Sequence, residues 1–260
     1  MGEILYKILI CFLAGAGAGL GTGFAGMSAA AVISPMLLTF LGVPAYEAIG
    51  IALASDVLAS AASARTYAKN KSIDIKNGLV MMAGVLSMTM VGSWLSTFVT
   101  NSTLGGFSVV MTFLLGLKFL IFPVNSTRRS VSGDRRWIQV AKSLVCGSVI
   151  GLICGFFGAG GGMMMLLILT TVLGYELKTA VGTSVFIMTF SAFTGAVSHF
   201  ALRGLPQMDL LIRCVVFTLI WAQIAAKIAA RADGKTLNRI VGVILTVLGA
   251  ALIVITHLNK

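Results

Sequence analysis

Apolar residues along this chain come in long blocks, with neither the two-residue alternation of a half-buried strand nor the single apolar stripe of a soluble helix. The blocks cover 4–24, 45–67, 78–99, 103–122, 137–157, 178–202, 208–230 and 237–257, parted by short polar stretches. A helix of about 20 apolar residues crosses a bilayer core. The pattern therefore predicts an all-α fold, a polytopic membrane helical bundle. Two shorter blocks, 27–41 and 160–173, are only 14 to 15 residues long, and each follows a cluster of glycines. Broken backbone at membrane depth is tolerated where it is buried in protein or lines a watery cavity. These two read as half-helices or re-entrant elements, giving either 8 spanning helices plus 2 short half-helices or 10 crossings.

Sliding the sequence against itself by 132 residues aligns 15–79 with 147–211 without a gap. Gly15, Gly19, Leu20, Gly23, Phe24, Gly26, Gly42, Ala48, Gly50 and Ala64 fall on Gly147, Gly151, Leu152, Gly155, Phe156, Gly158, Gly174, Ala180, Gly182 and Ala196. Such self-similarity marks two homologous membrane repeats, 1–124 and 137–260, joined by the basic, polar linker 125–136. Ten crossings place five in each half and invert the second half relative to the first. Eight place four in each and leave the halves parallel. Both layouts keep most bases on one side; the inverted one keeps all three basic clusters together and is favoured on that ground.

Composition supports the membrane assignment. The 260 residues are 58% hydrophobic and 10% charged, against roughly 25% charged in soluble domains, which leaves no room for a separate soluble catalytic domain. The 19 Lys and Arg against eight Asp and Glu do not indicate nucleic acid, because the bases sit in short breaks between apolar runs and form no basic face. They cluster as Arg65, Lys69, Lys71 and Lys76, as Arg128, Arg129, Arg135 and Arg136, and as Lys227, Arg231, Lys235 and Arg239. Cytoplasmic loops collect charge in this way. The apolar N-terminus imitates a secretory signal, yet its glycine pattern recurs in mid-chain, so it belongs to the mature fold. Cys11, Cys146, Cys154 and Cys214 lie inside apolar runs without metal-site spacing and read as buried thiols.

Some glycines serve packing. Gly15, Gly19 and Gly23, with Gly147, Gly151 and Gly155, form two small-xxx-small ladders suited to close helix contact. Others suit a ligand: Gly158, Ala159, Gly160, Gly161 and Gly162 offer consecutive backbone amides before a half-helix, where the positive end of the helix dipole adds its attraction for an anion. The matching stretch at Gly26 has fewer glycines but gains the hydroxyl of Ser28. A simple kink between packed helices explains the same glycines.

Asp56, Ser60, Ser63 and Tyr67 follow at i, i+4, i+7 and i+11 and share one helical face. A carboxylate at the depth of Asp56 costs about 2.5–3.5 kcal/mol on insertion scales, so a role is expected. The second half carries Met188, Ala192, Gly195 and His199 at those places, and the acid is not duplicated. Thr183 and Ser184 open the 178–202 block with hydroxyls that suit either a ligand or a helix cap. Gln223, mid-segment, suits a cavity wall or an interhelical hydrogen bond. His199 and Arg203 sit toward a segment end. With two histidines and one deep acid, no catalytic triad, metal cluster or cofactor site can be assembled, which favours a transporter over an enzyme.

The glycine cluster Gly158 to Gly162 followed by Ala180-Val181-Gly182-Thr183-Ser184, together with its diluted first-half counterpart, resembles the sulfite exporter TauE/SafE family of membrane permeases. The resemblance covers nearly the whole chain. It implies a multi-pass inner-membrane secondary transporter, exporter or importer, for small anions such as sulfite, a sulfonate or a related organosulfur anion, driven by an ion gradient. The expected substrate-binding residues are Gly26, Ser28, Gly158, Gly160, Gly161, Gly162, Thr183, Ser184 and Gln223, with Asp56 as the coupling or proton-carrying group. Partners are the cargo anion and membrane lipids, with a homodimer allowed. Pro35 fits the family's usual proline, whereas Gly50-Ile51-Ala52 departs from the Gly182-Thr183-Ser184 of the second half. The competing expectations are a non-transporting scaffold or partner subunit, and a cation carrier centred on Asp56.

Overall fold

The computed structural model describes residues 2–96, 113–114, 117–118, 120–121, 136–157 and 161–258. Among them there is no strand, and the principal elements are α1 (Gly2–Ala25), α2 (Ala30–Leu41), α3 (Ala45–Lys69), α4 (Ile75–Ser96), α5 (Arg136–Phe157), α6 (Gly161–Thr171), α7 (Leu177–Arg203), α8 (Met208–Arg231) and α9 (Gly234–Leu258). The described residues of 113–121 are also helical. Most of the 125–136 linker lies outside the described residues. Helices at Gly2–Ala25, Glu47–Lys69, Leu177–Val197, Met208–Arg231 and Gly234–Ala251 are each long and apolar enough to cross a membrane. Leu5, Leu9 and Leu13 on α1 and Ile212, Val216, Ile220 and Ile224 on α8 stand exposed in helical rows. An outer surface so apolar suits lipid, which competes for no hydrogen bond.

The apolar blocks set the helices, and local chemistry sets their ends. Asp74 accepts the Asn77 N–H at 3.1 Å, the N-cap bond that satisfies a free amide of the first turn. That cap starts α4 at Ile75, three residues before its apolar block begins. At the far end of α2, Gly42 adopts φ 61° and its N–H reaches Leu37 O, a left-handed stop that glycine adopts without a Cβ clash.

Glycine ladders bring helices into backbone contact. α1 packs on α8, where a Cβ at Gly19 would stand 2.6 Å from Thr218 O and 2.7 Å from Ala222 N, and one at Gly23 2.6 Å from Ala222 O. α4 packs on α5, where Gly84 faces Leu144 O, and Gly147 and Gly151 face the carbonyls of Met81 and Val85. Both pairs run parallel, since contacts advance in the same sense along each helix.

The remaining contacts fix the other directions. Tyr6 donates to Phe40 O at 3.3 Å, so α2 runs back along α1. Tyr67 donates to Gly23 O at 2.8 Å, so α3 returns in the sense of α1. Gly182 abuts Ser72 and Tyr67 while Gly195 faces Leu53, so α3 and α7 are antiparallel. Gly242 faces Leu120 and Gly249 faces Phe113, so α9 opposes the helical residues at 113–121. Lys178 Nζ donates to Ala230 O at 3.3 Å, which brings the start of α7 and the end of α8 to one end of the bundle. Through Gly182, the basic residues that close α3 lie there too.

Because the α1–α8 contact leaves no room for a side chain, Gly19→Ala is expected to destabilise the protein by about 1–3 kcal/mol through overpacking. Thermal melting in detergent measures this, with Gly2→Ala, where nothing lies within 4 Å, as the unchanged control.

Candidate functional site

Gly26 ends α1 with φ 61°. Its N–H bonds Thr22 O at 2.9 Å, and the Met27 N–H bonds Gly21 O at 3.1 Å, the paired closure of a helix terminating on glycine. Two amides expected to face a ligand are therefore spent on α1 itself. Ser28 follows, with its Oγ accepting the Ala30 N–H at 3.3 Å and donating to Asp56 Oδ2 at 2.8 Å.

Asp56 lies midway along α3 and is 1% exposed. One turn on, Ser60 Oγ donates to Asp56 Oδ1 at 2.8 Å, and the backbone N–H of Ala29 donates to the same carboxylate. Two hydroxyls and an amide thus converge on its two oxygens. The approach to the start of α2 is filled by the chain's own carboxylate. Ser63 and Tyr67 on the same face are buried. Arg65 points outward and is exposed.

The two glycine breaks meet here. A Cβ on Gly162 would stand 2.9 Å from Ser28 N and 2.6 Å from Met188 Sδ, and against the Gly26 carbonyl. Ser184 Oγ donates to Gly26 O at 3.1 Å and lies 3.7 Å from Met188 Sδ. α2 leaves this point toward the Tyr6 end of α1, and α6 leaves it toward the loop carrying Tyr175. The half-helices therefore meet start to start, each start carrying about +0.5 of an elementary charge.

Gly26, Ser28, Asp56, Gly162 and Ser184 are thus brought together. Gly161 opens α6 beside them, while Gly158 and Gly160 lie outside the described residues. Thr183, one residue before Ser184, faces elsewhere: its Oγ1 accepts the Asp74 N–H at 3.1 Å. Gln223 is not brought to the site. It is exposed on α8 beside Ile220 and Ile224, while the inward face of that helix is small, with Ala222, Ala225 and Ala226 buried. Polarity at mid-segment pointed inward, and the alanine row shows which face α8 turns to its neighbours.

Sequence reasoning missed a second polar cluster at the basic end. Tyr175 donates to Asp74 Oδ2 at 2.8 Å, and Asn77 Nδ2 donates to the same oxygen at 2.7 Å. Burial, reinforced by the carboxylate it donates to, holds the Tyr175 phenol well above its ordinary value, so it stays a donor. Together with the Thr183 contact, this ties the α3–α4 loop to the α6–α7 loop and to the second turn of α7. At the opposite end, the Gln207 N–H donates to Glu47 Oε1 at 2.7 Å in an exposed position. An acid among the bases of residues 65–76 was the available signal.

A family model described as "Sulfite exporter TauE/SafE" matches residues 11–252. The chain is 26% identical over 258 residues to "Probable membrane transporter protein YunE" of Bacillus subtilis (strain 168), covering 94% of each chain. It is 23% identical over 220 residues to "Probable membrane transporter protein YdhB" of the same organism, covering 85% of this chain and 88% of that protein. No solved structure matches the chain.

If the Tyr175–Asp74 bond helps close the basic end, Tyr175→Phe removes about 1 kcal/mol of closure. A cysteine placed at buried Val181 should then react about fivefold faster with an aqueous thiol reagent supplied from that side. Equal rates with Tyr175 present or absent contradict this role.

Proposed function

This chain belongs to the sulfite exporter TauE/SafE family and is a membrane transporter, and from that premise we propose that it carries small anions by alternating access through the point where α2 and α6 meet. The observation that carries the reading is the start-to-start approach of two half-helices on a single buried carboxylate. Their starts together present about one positive charge. In a low-dielectric core, such a charge demands an anion. Asp56 supplies it when no cargo is bound. A cargo anion and an ionised Asp56 would repel each other at this distance, so the site holds one or the other, with Asp56 protonated when the cargo is seated. Cargo classes are sulfite, sulfonates and related organosulfur anions.

On this account the halves are inverted repeats, with all three basic clusters in the cytoplasm of a cell whose inner membrane holds the protein. Two observations support that layout. α3 and α7, which correspond under the 132-residue offset, run antiparallel, as do the described helical residues between 113 and 121 and α9. Correspondence also relates α1 to α5 and α4 to α8, so each close glycine pair joins one helix of each half.

Coupling follows from the electrostatics. An anion crossing a potential of about 100 mV gains or loses about 2.3 kcal/mol per charge, and a proton on Asp56 travelling with it cancels that term. No other charged side chain is fully buried among the described residues, and the titratable Tyr67 on the same face has its hydroxyl engaged by Gly23 O. Asp56→Asn, which keeps the shape and removes the charge, is expected to retain anion exchange in liposomes and to lose acceleration by a pH gradient. Unchanged pH-dependent transport by Asp56→Asn returns the residue to a structural role.

The oxygens of Asp56, Ser28 and Ser60 also suit a cation, the second reading. Two positive helix starts beside them oppose it. A thermal-shift screen separates the readings, because a ligand that binds the folded state raises its stability: stabilisation by sulfite or sulfonates supports the anion carrier, and stabilisation by sodium or divalent ions alone supports the other.

A further inference from the structure

Around the buried carboxylate, three polar groups of the first half are replaced together in the second. Ser28 corresponds to Gly160, Asp56 to Met188 and Ser60 to Ala192. Loss of one polar residue between two halves is unremarkable drift. Loss of a carboxylate and both of its hydroxyl donors removes one functional unit, the resident anion and its holders.

The structure shows what stands in its place. Met188 and Ala192 are each 4% exposed, and the Met188 thioether lies against Gly162, in the first turn of α6, much as Asp56 lies against Ser28 and Ala29, which lead into α2. A side chain on Gly162 would displace Met188 Sδ, so the fit is close on both sides. Ser184, fully buried, borders the sulfur. One half-helix start thus holds an anion in the structure itself, and the matching start is covered by a neutral side chain. Methionine is unbranched, with three rotatable bonds, so its tip of sulfur and methyl is the part of this wall best able to rearrange.

Resting on the transporter reading above, we propose that Met188 covers the seat of the cargo's charged group: in the loaded protein its thioether leaves the start of α6, and the anionic head of the cargo takes the place that Asp56 holds against α2. The second half thereby binds an external anion with the geometry the first half uses for an internal one. The asymmetry sets the load at one anion, since only one of the two seats lacks a tethered carboxylate. It also gives Met188 a share in specificity: the seat opens to the volume of a thioether tip, which suits a sulfite or sulfonate head, while Ser184 offers a hydroxyl beside it.

The test uses the full-length protein with sulfite, sulfate and ethanesulfonate as probes. Wild-type proteoliposomes first establish which of these is exchanged; exchange of none overturns the anion-carrier reading itself. The exchanged anion is then titrated into protein carrying methyl-labelled methionine in nanodiscs. The Met188 methyl resonance, assigned by its absence in Met188→Leu, is expected to shift saturably, while the methyl of Met208, exposed at the other end of the bundle, stays in place. In parallel, Met188→Asp installs a second tethered carboxylate and should lower exchange at least tenfold, with Met188→Asn losing less. A Met188 methyl that does not respond to a saturating, exchanged anion overturns the proposal and leaves the transporter reading standing, whether or not Met188→Asp folds.

Discussion

Two half-helices that meet start to start inside a membrane bundle create a local excess of positive charge, and the rest of the structure answers to it. In water such ends would be solvated at little cost. Within the bundle, each free amide needs a partner and the summed dipole needs a counter-charge. Gly26 and Met27 satisfy the amides around the first break by closing α1 on itself. Ser28, Ser60 and the Ala29 amide hold Asp56 where the charge is needed. A carboxylate that would be expensive alone in lipid becomes the group that lets the two breaks approach.

That approach needs a frame that does not yield, and glycine provides it. Along α1 and α8, and again along α4 and α5, the glycines bring the two backbones close, with no room for a side chain of their own. Contacts of that kind are specific in register, because sliding by one residue drives a Cβ into a carbonyl. Each tight pair joins a helix from before residue 125 to one from after residue 135, and α2, α3, α6 and α7 gather around the meeting point. The polar ties differ between the ends: among the described residues, Asp74, Asn77, Tyr175 and Thr183 form a cluster at the basic end, while the bonds of Tyr6 to Phe40 and of Gln207 to Glu47 at the other end are exposed.

Much of this was legible from periodicity. Block lengths located every described helix within a few residues, the glycine spacing located the tight pairs, and the i, i+4, i+7, i+11 rule put Asp56, Ser60, Ser63 and Tyr67 on one face, all of them buried. Local signals failed where the answer was tertiary. Nothing near Ser28 announces that its hydroxyl meets a carboxylate 28 residues on, and nothing near Tyr175 points to an acid 101 residues away. Gln223 misled because polarity identifies a polar residue without saying which face of α8 is turned inward. The amides of Gly26 and Met27 misled for a related reason: a glycine break offers free amides only after the helix it ends has taken its share. Thr183 and Ser184 are adjacent in sequence, yet a helix turns them to different tasks, one to a loop and one to the centre.

The central claim is that the meeting point holds one negative charge, supplied either by Asp56 or by cargo. Proton uptake on binding measures this directly, because exchanging a tethered charge for an external one requires the tethered group to protonate. A sulfonate is the suitable probe, since it stays ionised at any pH the protein survives. Mixed with wild-type protein in weakly buffered solution containing a pH indicator, a bound sulfonate should draw in about one proton per site, and the Asp56→Asn protein should bind the sulfonate with no uptake. Binding by the wild-type protein without proton uptake would contradict the account.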